Sequence, residues 1–204
     1  MRKDYEIILN LIPENSKVLD IGCSDGELIT YLENKGISAQ GVELSQEKVI
    51  KCLEKGLDVI HGDINLIVED FPFNQFDYCL LTQTIQAVQE PDQLLNTLKK
   101  VSKNIIVSFN NSARLSKISN FLLTGSFDSL LKKANSDHWY NTDYIHPCSI
   151  KDFKKLATDL DLKIISTFDV LSQKKFENGK IPSNLFCKEA VSYTHLTLPT
   201  STLV

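Results

Sequence analysis

The segment Val18-Leu19-Asp20-Ile21-Gly22-Cys23-Ser24-Asp25-Gly26-Glu27-Leu28 is where residue types and spacing first suggest chemistry. An apolar run closes on Asp20 and Ile21, Gly22 and Gly26 follow, and a helical pattern begins at Glu27. A strand that breaks into a glycine loop and then enters a helix is the shape of a nucleotide-binding turn, because such a loop lets backbone approach a ligand closely. Further chemistry-bearing residues follow in order. Glu43 comes about 20 residues after Gly22, the distance at which an acidic strand end meets a ribose. Asp63 lies in "HGDIN", Thr82 and Gln83 end another apolar run, and Trp139, Tyr140, His146 and Cys148 gather in a polar stretch.

The loop narrows its ligand by what it lacks. A dinucleotide fingerprint needs G-x-G-x-x-G, whereas here Ser24 separates Gly22 from Gly26 and Glu27 stands where the last glycine would fall. No Gly-Lys-Ser/Thr follows, so this is not a P-loop. Asp20, Asp25 and Glu43 would repel a pyrophosphate and attract a ligand carrying ammonium and sulfonium charges. S-adenosylmethionine is such a ligand: it has a ribose, an adenine and a cationic centre, and no phosphate. On that reading Glu43 accepts from the ribose hydroxyls and Asp63 from the adenine amino group. Leu44 and Ile64 cover the ring faces, and Thr82 and Gln83 face the crevice. The plainer alternatives are turn glycines, a helix cap at Asp63, and an Asp20 that only orients the loop. If position 24 needs a positive φ, serine there costs about 1 kcal/mol relative to glycine.

The surrounding elements must hold these residues at one edge of a sheet. Strands are expected at Lys17–Ile21, Ser38–Leu44, Leu57–His61, Phe76–Gln83 and Asn104–Phe109, and helices at Glu27–Lys35, Gln46–Lys55 and Pro91–Ser102. The N-terminal stretch reads as an amphipathic helix, not a signal peptide. Alternating strands and helices predict a Rossmann-like doubly wound, mostly parallel α/β sheet. After Phe109 a long polar stretch runs to Tyr144, too long for an ordinary connection. Ser149 then caps a helix to about Leu160. Leu162–Leu171 and Asn184–Ala190 read as a C-terminal antiparallel hairpin joined by a lysine-rich loop.

The sequence has 204 residues, 42% of them hydrophobic, enough for one domain with a substantial core. A net charge of −4 gives no bulk attraction to nucleic acid or an anionic membrane, and no apolar run would span a bilayer. Five cysteines with no CxxC pair fit free thiols in a reducing cytoplasm and no structural zinc or other metal site. His146 and Cys148 flank Pro147, a spacing that does not itself place the thiol on the imidazole. "VSYTHLTLPT" (Val191–Thr200) breaks the preceding strand pattern and reads as an in-frame translation of a sequencing adapter. The expectation is therefore a native domain over residues 1–190 and a foreign tail over 191–204, so His195 receives no functional weight.

"VLDIGCSDGEL", "GVELS", "HGDIN" and "FDYCLLTQTIQAV" appear in an order and spacing that resemble the class I methyltransferases. "GCSDGELITYL", "LLTQTIQAVQEPDQLL", "IIVSFNN" and "HWYNTDYIHPCSIKDF" narrow the resemblance to the MetW family of methionine biosynthesis proteins, over nearly the whole chain up to Ala190. The resemblance implies the class I methyltransferase fold and S-adenosylmethionine contacts at Asp20, Gly22, Gly26, Glu43, Asp63, Thr82 and Gln83. It also implies a role for the Trp139–Cys148 region, with Trp139, Tyr140 and His146 on the substrate side, and work at the homoserine acylation step beside the homoserine O-acyltransferase MetX. Either a small-molecule methyltransferase or a cofactor-binding accessory subunit fits. The chain departs from the family at Ser24, where glycine is usual, and at Asn110, where proline is more frequent.

Overall fold

The computed structural model describes residues 1–127, 145–177, 180, 187 and 189–196. The strands are β1 (Lys17–Ile21), β2 (Ser38–Glu43), β3 (Val59–His61), β4 (Phe76–Thr82), β5 (Ser102–Asn110), β6 (Leu162–Asp169), β7 (Lys174–Glu177) and β8 (Glu189–Leu196). The apolar runs that form β1, β2, β4 and β5 have buried middles, while β3 is only half-buried. They form one sheet in the order β3-β2-β1-β4-β5-β8-β6-β7. The pairs among β3, β2, β1, β4 and β5 are parallel, while β8 runs antiparallel to both β5 and β6, and β7 antiparallel to β6. Strand order reverses at β1, which pairs with β2 on one side and β4 on the other. That reversal opens a crevice at the carboxyl ends of β1 and β4, where doubly wound sheets bind ligands.

Helices cover both faces. The helices α1 (Lys3–Leu11), α2 (Glu27–Asn34) and α3 (Gln46–Glu54) supply Ile8, Leu28, Ile29, Leu32 and Cys52 to one apolar cluster, with Val18, Leu80 and Ile106 from the sheet. On the other face α4 (Ile64–Ile67), α5 (Pro91–Val101) and a helix over Ile150–Asp159 (α7) bury Ile64, Leu94, Leu95, Leu98 and Phe153 against Leu19, Leu81 and Val107. Between α5 and α7 lies α6 (Leu115–Thr124), with no buried residue. Ser149 closes a capping box on α7: its hydroxyl accepts from the Asp152 N–H at 3.2 Å, and Asp152 Oδ2 accepts from the Ser149 N–H at 3.0 Å. No helix among the described residues is long and apolar enough to cross a membrane.

Three local features differ from the sequence reading. α6 lies inside a stretch that carried no helical signal, because a helix that buries nothing needs no amphipathic pattern. The lysine-rich connection contains β7, an edge strand with exposed lysines, a usual way to blunt a sheet edge. β8 crosses the boundary expected near Ala190 and continues to Leu196 with Val191, Ser192 and Thr194 buried. The β-branched residues of that segment suit a pleated, half-buried surface.

Candidate functional site

The glycine loop is shaped by backbone geometry that only a few residue types tolerate. Gly22 and Gly26 sit at φ 73° and 76°, and Ser24 between them at φ 54°. Position 24 therefore does take the left-handed conformation, and serine carries that strain at about 1 kcal/mol. A Cβ on Gly22 would fall 2.6 Å from Thr84 Oγ1, and one on Gly26 would fall 2.3 Å from Leu57 Cδ1. Thr84 is fixed there by donating to the Ile21 carbonyl at 3.0 Å. Gly22 and Cys23 both give their N–H groups to the Val42 carbonyl, so the loop leans on the end of β2.

Glu43, the last residue of β2, joins the two loops that flank the crevice. Its Oε2 accepts from the Ser24 N–H and its Oε1 from the Ser45 N–H, each at 2.9 Å, and the residue is 7% exposed. Ser45, at the N-cap of α3, makes no side-chain cap bond and instead donates its backbone N–H to Glu43. Each carboxylate oxygen retains a lone pair that can accept from a hydroxyl. Asp63 caps α4, its Oδ1 accepting from the Asn65 N–H at 2.9 Å and the Asn65 side-chain amide at 2.7 Å. Leu44 is exposed at the crevice rim, whereas Ile64 packs into the core with Val42 and Val68.

Asp20 is fully buried beneath the loop, and its Oδ1 has no hydrogen-bond partner among the described residues. Burial pushes its carboxyl up to about 7, with Arg2 opposing the shift and Glu43 adding to it. Thr82, at the end of β4, is 9% exposed, and its hydroxyl also lacks a partner. Buried polar atoms are nearly always satisfied, so both call for a partner beyond the described residues. Gln83 adopts φ 59°, a conformation that non-glycine residues hold only where the surroundings enforce it. Its N–H donates to the Ser108 carbonyl at 3.0 Å, its side-chain Nε2 to Glu189 Oε1 at 2.5 Å, and its Oε1 accepts from Asn110 Nδ2 at 2.7 Å.

The residues expected on the substrate side are placed in part. Trp139 and Tyr140 lie outside the described residues. His146 is tied to the crevice through Gln86, whose carbonyl accepts from the N–H groups of Ile145 and His146 and whose Oε1 accepts from the Asn110 N–H. The His146 ring pairs with the Gln89 carbonyl at 3.1 Å. Cys148 is half-buried, its thiol donates to the Ser149 carbonyl at 3.3 Å, and burial pushes it up to about 12, which makes it a poor nucleophile. Among the described residues no group of three or more His, Cys, Asp or Glu is arranged to hold a metal ion.

Sequence reasoning missed Arg2, Asp4 and Glu189. The Arg2 guanidinium pairs with Asp4, Nε to Oδ1 at 3.1 Å and NH2 to Oδ2 at 2.5 Å, and its NH1 donates to the Tyr5 hydroxyl at 3.2 Å. Asp4 is 2% exposed and accepts from the Ser108 hydroxyl. A buried aspartate in the first turn of an otherwise amphipathic helix was the signal available in the sequence.

These residues fit an adenosyl ligand better than a phosphate. The loop brings close backbone, the Lys55 ammonium beside it is held on the Asp25 carbonyl, and the carboxylates of Asp20, Glu43 and Asp63 lie under and around it.

Comparison with known proteins agrees with this geometry. Residues 2–194 match the family model described as "Methionine biosynthesis protein MetW". A bifunctional methionine biosynthesis protein MetXA/MetW of Rhodopirellula baltica is 32% identical over 203 residues; the match covers 94% of this chain and 32% of that protein, so the chain spans about a third of this relative's length. An uncharacterized methyltransferase of Staphylococcus carnosus is 26% identical, covering 85% of this chain and 82% of the relative. Among solved structures, an S-adenosylmethionine-dependent methyltransferase from Archaeoglobus fulgidus superposes with a TM-score of 0.63 at 17% identity, covering 94% of each chain, which bears on the fold alone. With its parallel sheet, antiparallel C-terminal strands and crevice at β1 and β4, the chain belongs to the MetW family, on the fold of the class I methyltransferases.

Proposed function

We propose that the crevice binds S-adenosylmethionine, and that the protein acts at the homoserine O-acylation step of methionine biosynthesis beside an acyltransferase of the MetX kind. The observation that carries the ligand is Glu43. Its buried carboxylate spans both loops through backbone N–H groups and offers its remaining lone pairs to a vicinal diol. Asp63 serves the adenine amino group, Leu44 shields one face of the ring, and Asp20 lies under the loop as the acidic partner of a cationic group. Ile64 supports the ring from within the core. The bound ligand would supply a methyl group on a sulfonium; the chain's own part is to hold the ribose, align the loop and exclude water.

The acylation step is supported by the relative whose name joins MetXA and MetW in one polypeptide. Linking two activities in one chain raises their effective concentration, which favours partners that work together. The test has two arms. Calorimetric titration with S-adenosylmethionine, S-adenosylhomocysteine and NADH should give binding of the first two only; tight NADH binding alone would overturn the ligand. Co-purification with the acyltransferase, and acylation assays with and without this protein, should show association and altered rate.

A second reading, an active small-molecule methyltransferase independent of such a partner, is favoured by the unpartnered Thr82 hydroxyl and the left-handed Gln83 on the acceptor side. Turnover of a labelled methyl group onto a metabolite, with no effect on acylation, would decide for it.

A further inference from the structure

The face of the sheet toward α1 is apolar through its middle and polar at its carboxyl edge. Val18, Leu80, Ile106 and Val191 pack against α1 and α2; two residues on, or before it in the antiparallel strand, the same face carries Asp20, Thr82, Ser108 and Glu189. Thr82 pairs in register with Ser108, whose hydroxyl donates to Asp4 Oδ2 at 3.3 Å, and Glu189 pairs with Asn110 on the next strand. The first turn of α1 roofs this row with Arg2, Asp4 and Tyr5. Asp4 and Glu189 thus lie together under α1, Asp20 lies farther along the same face on β1, and Arg2 acts on each of the three. Its guanidinium is committed to Asp4.

We propose that Glu189, Asp4 and the Thr82 hydroxyl form a second ligand subsite, beside the adenosyl site, that takes a small organic ammonium. Asp4 and Glu189 bring two carboxylates to the Arg2 guanidinium, so an added cation would hold Glu189 ionised, and the guanidinium already there makes a divalent metal the wrong one. An ammonium brings three N–H donors and bonds strongly to carboxylates in a dry pocket. A purely structural clamp would satisfy its own members. Here Thr82 Oγ1 stays buried with no partner among the described residues, and it projects from the face that carries Glu189. Gln83 meanwhile holds a left-handed backbone while its amide, set by Asn110, is aimed at Glu189. Gln83, Asn110 and Glu189 are only half-buried, so the subsite opens into the crevice.

The position beside a cofactor rests on the function proposed above; the chemistry of the subsite does not. The test uses the full chain saturated with S-adenosylhomocysteine and compares n-propylamine with n-propanol by calorimetry or ligand-observed NMR. The amine should bind and the alcohol should not. Glu189→Gln should weaken the amine about tenfold or more. Thr82→Val, which keeps the side-chain shape, should weaken it about threefold to tenfold. Glu189→Gln should keep adenosyl affinity within about threefold. Equal binding of amine and alcohol, or an amine affinity that neither variant changes, would overturn the subsite. Amine binding sensitive to Glu189→Gln in a protein that binds no adenosyl ligand would uphold the subsite and reject the cofactor reading.

Discussion

Replacing Glu43 by glutamine is the sharpest perturbation of the adenosyl site, because the side chain keeps its size while one acceptor becomes a donor. Both carboxylate oxygens face backbone N–H groups, from Ser24 and Ser45, each at 2.9 Å. Whichever way the amide turns, its NH2 meets an N–H. One bond to a charged acceptor is lost, and a donor at a site 7% exposed is left poorly satisfied. Hydrogen bonds to charged groups contribute about 1.5–3 kcal/mol each. The same exchange removes one of the two acceptors available to the ribose hydroxyls, for a similar loss on the ligand side. Affinity for S-adenosylhomocysteine should therefore fall by about 10- to 150-fold. The free protein should lose about 1.5–3 kcal/mol as well, read as roughly 3–12 °C in Tm for a chain of this size. Calorimetry of Glu43→Gln and Glu43→Ala, beside thermal melts of both, measures the two losses separately. An affinity within threefold of the parent, in a variant whose melt has dropped as expected, would show that Glu43 only fastens the loops and touches no ligand.

Asp20 and Glu189 are both pushed up to about 7, by burial first, so the folded protein keeps protons that the unfolded carboxyls, at 3.8 and 4.5, have released. Their contribution is full below the unfolded values, falls as pH rises toward about 7, and is level above it, with a slope of up to about 1.4 kcal/mol per pH unit per group. Asp20→Asn should flatten part of that fall in melts between pH 5 and 7; an unchanged slope would show that Asp20 titrates normally. Gly22→Ala should lower stability by about 2 kcal/mol or more, roughly 4–8 °C in Tm, through its φ of 73° and the Thr84 contact, and an unaltered melt would refute that geometry. If the residues after Ala190 are foreign, resequencing the locus should return different codons that again encode an alternating strand, since β8 needs buried residues at Val191, Ser192 and Thr194. Recovering the same codons in uninterrupted genomic sequence would refute the foreign tail.

What was legible in the sequence was what short range determines. Gly22 and Gly26 mark themselves because few other residues take their φ, and Glu43 stands out as an acid ending an apolar strand. The parallel strands β1, β4 and β5 read clearly because burial on both faces gives each an apolar middle. α6 and β7 carried no such mark, since neither buries a residue fully. Ile64 was expected over a ligand ring and lies in the core, because the brief turn of α4 points it inward. The Arg2–Asp4–Glu189 cluster showed in the sequence only through Asp4 in the first turn of an amphipathic helix: that turn and the start of β8 meet only once the sheet has ordered its strands.

The place of β8 has a consequence for how the chain comes to be folded in a cell. Among the described residues it is the last strand in chain order, yet it lies inside the sheet, and the β6–β7 hairpin reaches β5 only through it. Until β8 has been synthesised, β5 and β6 each present an open edge able to pair with another chain. The nascent protein thus carries two sticky edges until β8 emerges, and a neighbouring copy's β8 is the natural wrong partner, by strand exchange. A defect within Glu189–Leu196 should therefore be felt first as aggregated or swapped protein, before any change in what the crevice binds.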